Sequence, residues 1–146
     1  MSLRTLVPVL VPLCVALGAA TGCSASDALV DYSVTGGLDG TGNGNSLHVT
    51  FAGMATRTSR AGGTQTVPLD AITFADLKQE IADAQFPNLQ PVYECPGCGD
   101  EYVYQVTVQV DGTPYAARVE GLEEAVYPES LKTLLTTLDQ IAAPPR

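Results

Sequence analysis

The chain has 146 residues, is 45% hydrophobic and carries 16 acidic against 7 basic side chains, which gives a formal net charge of −9. An acidic protein is repelled by nucleic-acid phosphates and by anionic lipid headgroups. The composition therefore argues against nucleic-acid binding and against attachment to a membrane by charge.

The first 22 residues have the pattern of an export signal. Arg4 is their only charged residue, and residues 5–20 are almost wholly apolar. This run is shorter than the roughly 20 apolar residues that a membrane-spanning helix needs. Pro8 and Pro12 would also interrupt the hydrogen bonds of such a helix. We therefore expect residues 1–22 to be a signal peptide and the protein to be exported.

The end of this signal resembles the lipobox of bacterial lipoproteins, in which a cysteine is acylated and becomes the first mature residue. Ala20, Thr21 and Gly22 are small residues that lead directly into Cys23. The alternative is ordinary signal-peptidase cleavage, which would leave Cys23 as an odd, exposed thiol in an exported protein. We expect lipidation of Cys23, a short tether over residues 23–28, and a location at the membrane surface of the bacterial cell envelope, on its periplasmic or extracellular side.

Three strands are predicted in the first third of the mature chain. Residues 30–35 and 47–51 alternate between apolar and polar side chains, which is typical of half-buried strands, and residues 54–60 form a weaker, more polar strand. The connection at residues 36–46 is rich in glycine and asparagine, which tolerate positive φ. It is either an unconstrained linker or a shaped binding loop.

An amphipathic helix is predicted next. Thr73 is a suitable N-cap with Asp76 completing an acidic capping box, and Ile72 and Leu77 have the spacing of a hydrophobic staple. Pro87 ends the helix. The predicted buried stripe consists of Phe74, Leu77, Ile81 and Ala84.

Cys95 and Cys98 form a Cys-x-x-Cys motif with three possible roles. A redox site normally places the first cysteine at a helix N-terminus, whereas Gly97 and Gly99 lie here in front of a predicted strand. A structural zinc site needs four ligands, and the chain adds only carboxylates and His48, its one histidine. A disulfide needs only an oxidising compartment, which export supplies. We expect a structural disulfide between Cys95 and Cys98, and no metal or other cofactor.

The last part of the chain predicts a hairpin and a helix. Residues 102–110 and 113–120 are alternating strands joined by Asp111-Gly112, a dipeptide suited to a two-residue turn. Pro114 indicates a sheet edge. The final helix begins near Pro128 and has apolar residues at helical spacing, namely Leu131, Leu134, Leu135, Leu138 and Ile141.

The order of these elements, βββαββα, predicts an α+β fold in which both helices pack on one face of an antiparallel sheet of about four or five strands. The size fits a single domain, at residues 29–143, followed by a tail at 144–146.

Sequence motifs of enzymes are missing from the chain. It has no Gly-x-Ser-x-Gly, no phosphate-binding loop and no His-Glu-x-x-His. Carboxylates could form an acid–base pair, but the candidates have the pattern of solvated strand ends and loops: Asp100, Glu101, Glu120, Glu123 and Glu124. We therefore expect a protein that is not an enzyme and has no catalytic residues.

Four short features follow one another in a distinctive order. The first strand leads into a Gly-Gly-apolar-x-Gly loop, Pro-Leu-Asp precedes the first helix at residues 68–70, an aromatic-rich strand follows Asp100, and Pro128 begins a leucine-rich helix. Over residues 30–141 this order resembles the emfourin-like family, small α+β proteins whose named member inhibits thermolysin-type metalloproteases. The residues that match the family's loop are Gly36, Gly37, Leu38, Asp39 and Gly40.

Two functions are therefore expected. The first is a non-enzymatic envelope lipoprotein that contacts the membrane through its N-terminal lipid and binds a protein or small ligand through an exposed sheet face. The second, which the resemblance implies, is an inhibitor that presents the loop at residues 36–46, with Leu38 and Asp39 at its tip, to a metalloprotease.

Overall fold

The computed structural model describes residues 27–36, 44–97, 101–121 and 126–143. They form an α+β fold with one seven-stranded sheet and two α-helices. The predicted signal peptide, Cys23, the residues 37–43 of the candidate loop, and Cys98 lie outside the described residues.

The sheet has the strand order β4-β3-β2-β1-β6-β7-β5, and all neighbours are antiparallel except β5 and β7, which are parallel. The strands are β1 (Ala28–Gly36), β2 (Ser46–Thr50), β3 (Met54–Thr58), β4 (Thr64–Pro68), β5 (Val92–Tyr93), β6 (Tyr102–Val110) and β7 (Thr113–Glu120). The helices are α1 (Ala71–Asp83) and α2 (Glu129–Ala142), and a short 3-10 helix lies between α1 and β5 at Phe86–Asn88.

The α+β class is confirmed, but the predicted strand count and the all-antiparallel arrangement are wrong. The prediction missed β4 and β5. β4 has the sequence Thr-Gln-Thr-Val-Pro and lies at the sheet edge, where its side chains are mostly exposed and need no apolar pattern. β5 is only two residues long and pairs with Arg118 and Val119 of β7, so its local sequence carries almost no strand signal.

One face of the sheet is covered by the helices. Val30 of β1 pairs with Val49 of β2 and with Val108 of β6, and all three side chains are fully buried. The two helices add Leu77 and Ile81 from α1 and the whole predicted stripe of α2 to the same hydrophobic core. The core therefore lies between the helices and one face of the sheet, and the apolar periodicity of α2 is confirmed.

The hairpin between β6 and β7 agrees with the prediction. Asp111 and Gly112 both have positive φ, 50° and 77°, as a type I′ turn requires. β7 is not the edge strand, because β5 lies outside it. β5 reaches only Arg118 and Val119, so Pro114 still lies where β7 has no outer neighbour.

The predicted start of α1 is wrong by three residues. The N-cap is Asp70, whose Oδ1 accepts hydrogen bonds from the backbone N–H groups of Ile72 and Thr73 at 3.1 and 3.0 Å. Thr73 lies inside the helix and donates its hydroxyl to Asp70 Oδ2 at 2.6 Å. Ile72 is 75% exposed, so it forms no hydrophobic staple. Aspartate is among the best capping residues, and its position one step before Ala71 explains the earlier start.

Among the described residues, no helix combines the length and hydropathy that crossing a bilayer requires.

The Asp70 cap predicts a pH-dependent contribution to stability. The hydroxyl and backbone hydrogen bonds from Thr73 lower the pKa of the Asp70 carboxyl. Because the pKa is lower in the folded state, this stabilisation is present above the unfolded-state pKa of about 4 and is lost as the pH falls through the folded-state value. We expect Asp70→Ala to lower the melting temperature by a few degrees at pH 7, and the difference from the wild type to shrink below about pH 4.

Asp70→Asn is the matched control, because an amide oxygen can also cap the helix, and its loss at pH 7 should be smaller. Thermal unfolding followed by circular dichroism between pH 3 and pH 7 measures all three proteins. A difference that stays constant with pH would contradict this account of the cap.

Candidate functional site

The face of the sheet opposite the helices is not covered by any described element. Its side chains follow from the strand register: Asp31 of β1 pairs with His48 of β2 and with Thr107 of β6, and His48 pairs with Thr56 of β3. Residues two apart in these strands share the same face. We call this surface the open face. Its central members are Asp31, Ser33, Ser46, His48, Thr56, Thr58, Gln105 and Thr107.

Together with Tyr32 and Leu47, these eight residues line a shallow depression of about 390 Å³. Side chains around it are ordered by cross-strand hydrogen bonds between hydroxyl groups, at 2.9 Å for Thr56 and Thr66 and at 3.3 Å for Thr58 and Thr64. Most of the side chains that line it end in hydroxyl or amide groups, which can both donate and accept hydrogen bonds. Such a surface suits recognition of a polar partner.

His48 is held between two carboxylates on this face. Its Nδ1 lies 2.7 Å from Asp31 Oδ1 and its Nε2 lies 3.8 Å from Asp27 Oδ1. An ionised carboxylate only accepts hydrogen bonds, so Nδ1 carries the proton toward Asp31. The contact with Asp31 therefore fixes the orientation of the imidazole ring on the open face.

The base of the candidate loop is closed by backbone contacts. Val34 donates its N–H to Asn45 O at 2.9 Å, and Arg60 donates its N–H to Asn45 Oδ1 at 3.3 Å. Gly36 has φ of 98°, and a Cβ on it would lie 2.6 Å from Glu101 O. A Cβ on Gly44 would lie 1.3 Å from Val34 O. The glycines are therefore required where the chain leaves β1 and where it returns to β2.

A small cavity of about 230 Å³ lies at this base, next to the last turn of α2. Near it, Tyr32 donates its hydroxyl to Asp139 Oδ1 at 3.2 Å. Burial, together with the negative charge of Asp139, raises the pKa of Tyr32 well above its usual range, so the phenol stays protonated. The residues that line the cavity are Val34, Gly44, Asn45, Arg60, Tyr102, Tyr104 and Asp139.

A larger cavity of about 490 Å³ lies on the helix side, between β3, the start of α1 and the end of α2. Arg57 and Glu80 both line it, and Arg57 Nε and Glu80 Oε2 are buried without a hydrogen-bond partner. Thr137 donates to the other carboxylate oxygen, Glu80 Oε1, at 3.0 Å. Burial raises the pKa of Glu80. This cavity therefore contains one basic and one acidic side chain, each with an atom that lacks a hydrogen-bond partner. None of the site residues predicted from the sequence lines it.

The predicted cysteine site is described only at Cys95, which is disulfide-bonded and lies between β5 and β6. Its partner is outside the described residues, so the pairing with Cys98 stays a prediction. Within the described part of the chain, no group of three or more histidine, cysteine or acidic residues is arranged to hold a metal ion.

The other predicted residues fall in three groups. Gly36 lies at the end of β1, whereas Gly37, Leu38, Asp39, Gly40 and Cys23 lie outside the described residues. Of the carboxylate candidates, Glu101 is exposed and Glu120 forms an ion pair with Arg118. Asp100, Glu123 and Glu124 are outside the described residues.

The pair formed by His48 and Asp31 was not predicted from the sequence. Both residues occupy polar positions of alternating strands, so each could be placed on the open face, but their contact depends on the register between β1 and β2. Register is set by the turn and by the core on the other face, which local sequence does not show.

No protein-family model matches the chain, and no curated protein is similar to it in sequence.

The loop base gives a direct test. We expect Gly44→Ala to destabilise the protein by about 1–3 kcal/mol, the typical cost of overpacking against atoms that cannot move away. Gly63→Ala is the matched control, because the nearest heavy atom to its added Cβ would be Ser59 Oγ at 3.5 Å, an ordinary contact. Urea unfolding with comparison of midpoints and slopes measures both variants. Equal stabilities for the two variants would show that the loop base is not closed as described.

Proposed function

We propose that the protein is a non-enzymatic lipoprotein of the bacterial cell envelope, anchored through a lipid on Cys23, that binds a partner through the open face. The small residues before Cys23 support the anchor. The observation that carries the binding role is the open face itself, a polar sheet surface with a central depression of about 390 Å³ and a fixed imidazole.

The chemistry of the open face favours binding over catalysis. Antiparallel sheets commonly leave one face exposed to water. An ordinary exposed face needs neither a depression nor a histidine held in one orientation. Here Asp31 holds His48 in one orientation, and the surrounding hydroxyl pairs fix neighbouring donors and acceptors. Among the described residues, no group of three or more histidine, cysteine or acidic side chains is arranged as a metal site.

The position of the tether fits a partner that approaches the domain from its side or from the end farthest from the membrane. Asp27, four residues after Cys23, is held at one end of the sheet, because its carbonyl accepts a hydrogen bond from Phe51 N at 3.0 Å. β1 runs nine residues from this end to Gly36, a distance of about 26 Å at about 3.3 Å per residue. An anchor at Cys23 would leave the open face and the loop base away from the lipid.

Site-directed photo-crosslinking in cells tests both parts of the proposal. A benzoylphenylalanine at position 107 would sit on the open face, and one at position 136 would sit on the exposed side of α2 as the control; both positions hold exposed threonines. We expect the full chain to fractionate with membranes and to give a crosslinked product from position 107 but not from position 136. Cys23→Ser should move the protein to the soluble fraction.

The outcomes separate the two parts. Membrane fractionation that survives Cys23→Ser would remove the lipid anchor from the proposal. Crosslinks from both positions, or from position 136 alone, would remove the open face as the binding surface.

The fixed loop base favours a second candidate function, inhibition of a thermolysin-type metalloprotease of the kind that the emfourin-like resemblance implies. A protein inhibitor must present a segment to the protease cleft with little conformational freedom, because ordering it on binding costs affinity. Val34, Gly36 and Gly44 hold both ends of the candidate loop in place.

Titration of the purified protein against thermolysin, with hydrolysis of a peptide substrate as the readout, tests this candidate. Inhibition is expected to be stoichiometric, and deletion of residues 39–43 should abolish it while the melting temperature stays nearly unchanged. Activity that continues at a molar excess of the uncut protein would rule inhibition of thermolysin out.

A further inference from the structure

Three large apolar side chains are exposed on the described part of the chain at the end where the tether joins the sheet. Phe51 is 55% exposed, Met54 37% and Ile72 75%. Phe51 and Met54 flank the turn between β2 and β3, and Ile72 lies in the first turn of α1. We call these three residues the tether-end patch.

Backbone hydrogen bonds bring these residues to the same end of the molecule. Phe51 N donates to Asp27 O at 3.0 Å, which places Phe51 beside the first described residue after the tether. Leu69 N donates to Gly53 O at 2.9 Å, which holds the segment before α1 against the same turn. The ring of Phe74 lies 3.4 Å from where a Cβ of Gly53 would be. The turn and the start of α1 therefore form one surface next to the tether.

The polar groups around this surface suit the interface of a bilayer made of uncharged lipids. Lys78 Nζ lies 4.7 Å from the centre of the Phe74 ring, a cation–π contact within α1. Lysine can keep its ammonium in water while its stem covers apolar surface. Asp27 and Asp70 lie at the same end and would be repelled by anionic headgroups.

We propose that the tether-end patch docks into the membrane interface, so that the anchored domain stands with one defined end on the lipid surface. This inference rests on the proposed lipid anchor at Cys23. A lipid chain there would hold Phe51 within a few residues of the bilayer, where burying its exposed apolar side chain is favourable. A lipid surface fits better than a second copy of this chain, since a net charge of −9 makes two copies repel each other.

The absence of tryptophan from the sequence makes a clean experiment possible. Phe51→Trp places a single fluorophore in the patch. Tyr102→Trp is the matched control, because Tyr102 is 45% exposed and pairs with Gly36 at the opposite end of β1. Each full-length variant is produced with processing and acylation, purified in detergent and reconstituted into phosphatidylcholine vesicles, with and without brominated acyl chains, which quench tryptophan inside the bilayer.

We expect both variants to float with the vesicles, and only the tryptophan at position 51 to shift its emission to shorter wavelength and to lose most of its fluorescence to brominated lipid. Adding Met54→Ser and Ile72→Ser to the Phe51→Trp variant should restore much of that fluorescence without releasing the protein. The quenching should be insensitive to salt, because the contact is apolar.

Failure of the docking and failure of the anchor give different results. Flotation without quenching at position 51 overturns the docking and leaves the anchor intact. Protein that does not float overturns both. A shift to shorter wavelength that brominated lipid does not quench would mean that another protein copy covers the patch, and equal quenching at positions 51 and 102 would mean that no defined end faces the lipid; either result overturns the inference.

Discussion

Packing both helices on a single side of the sheet is the constraint from which the rest of the structure follows. Successive side chains of a strand point to opposite faces, so a sheet covered on one side must alternate in every central strand. β1 shows this directly, with Val30 and Tyr32 buried and Asp31 exposed between them. The stripe of α2 closes the covered side, and four of its leucines are completely inaccessible to solvent: Leu131, Leu134, Leu135 and Leu138. The uncovered side then faces solvent and carries polar residues. This polar side is the candidate binding surface, and no additional element is needed to form it.

The same constraint decides which elements could be predicted from the sequence. The β6–β7 hairpin and α2 carry strong local signals, a period-2 alternation around Asp111-Gly112 and a leucine stripe at helical spacing. β4 carries none, because an edge strand with little burial has no apolar period to display. Its existence depends on pairing with β3, which is a tertiary property. The start of α1 was missed for a local reason, since Asp70 and Thr73 both satisfy the capping pattern and only the backbone shows which one caps the helix.

Candidate sites were harder to predict than elements. The glycine-rich segment at residues 36–46 was identified from composition, and the structure adds the reason for glycine at two of its positions, Gly36 and Gly44, where a side chain would meet backbone oxygen atoms. The contact between His48 and Asp31 needs the strand register, and the cavity that holds Arg57 and Glu80 needs the packing of α1 and α2 over β3. Each of these brings together residues that are distant in sequence, so no local pattern could show them.

The tether-end patch, the open face and the loop base lie at different places along β1, so the contacts proposed for them do not exclude one another. Asp27 and the tether-end patch lie at one end of this central strand, and Gly36 with the loop base lies at the other. The open face runs along the side between them. In the proposed orientation, the open face would be roughly perpendicular to the membrane and the loop base farthest from it, so a partner in solution could reach both. If the domain instead lay on the lipid with its open face down, the polar face with the His48–Asp31 pair would lose water without gaining matching hydrogen bonds. The energetic cost of burying that polar face thus favours the proposed end-on orientation over one with the open face on the lipid.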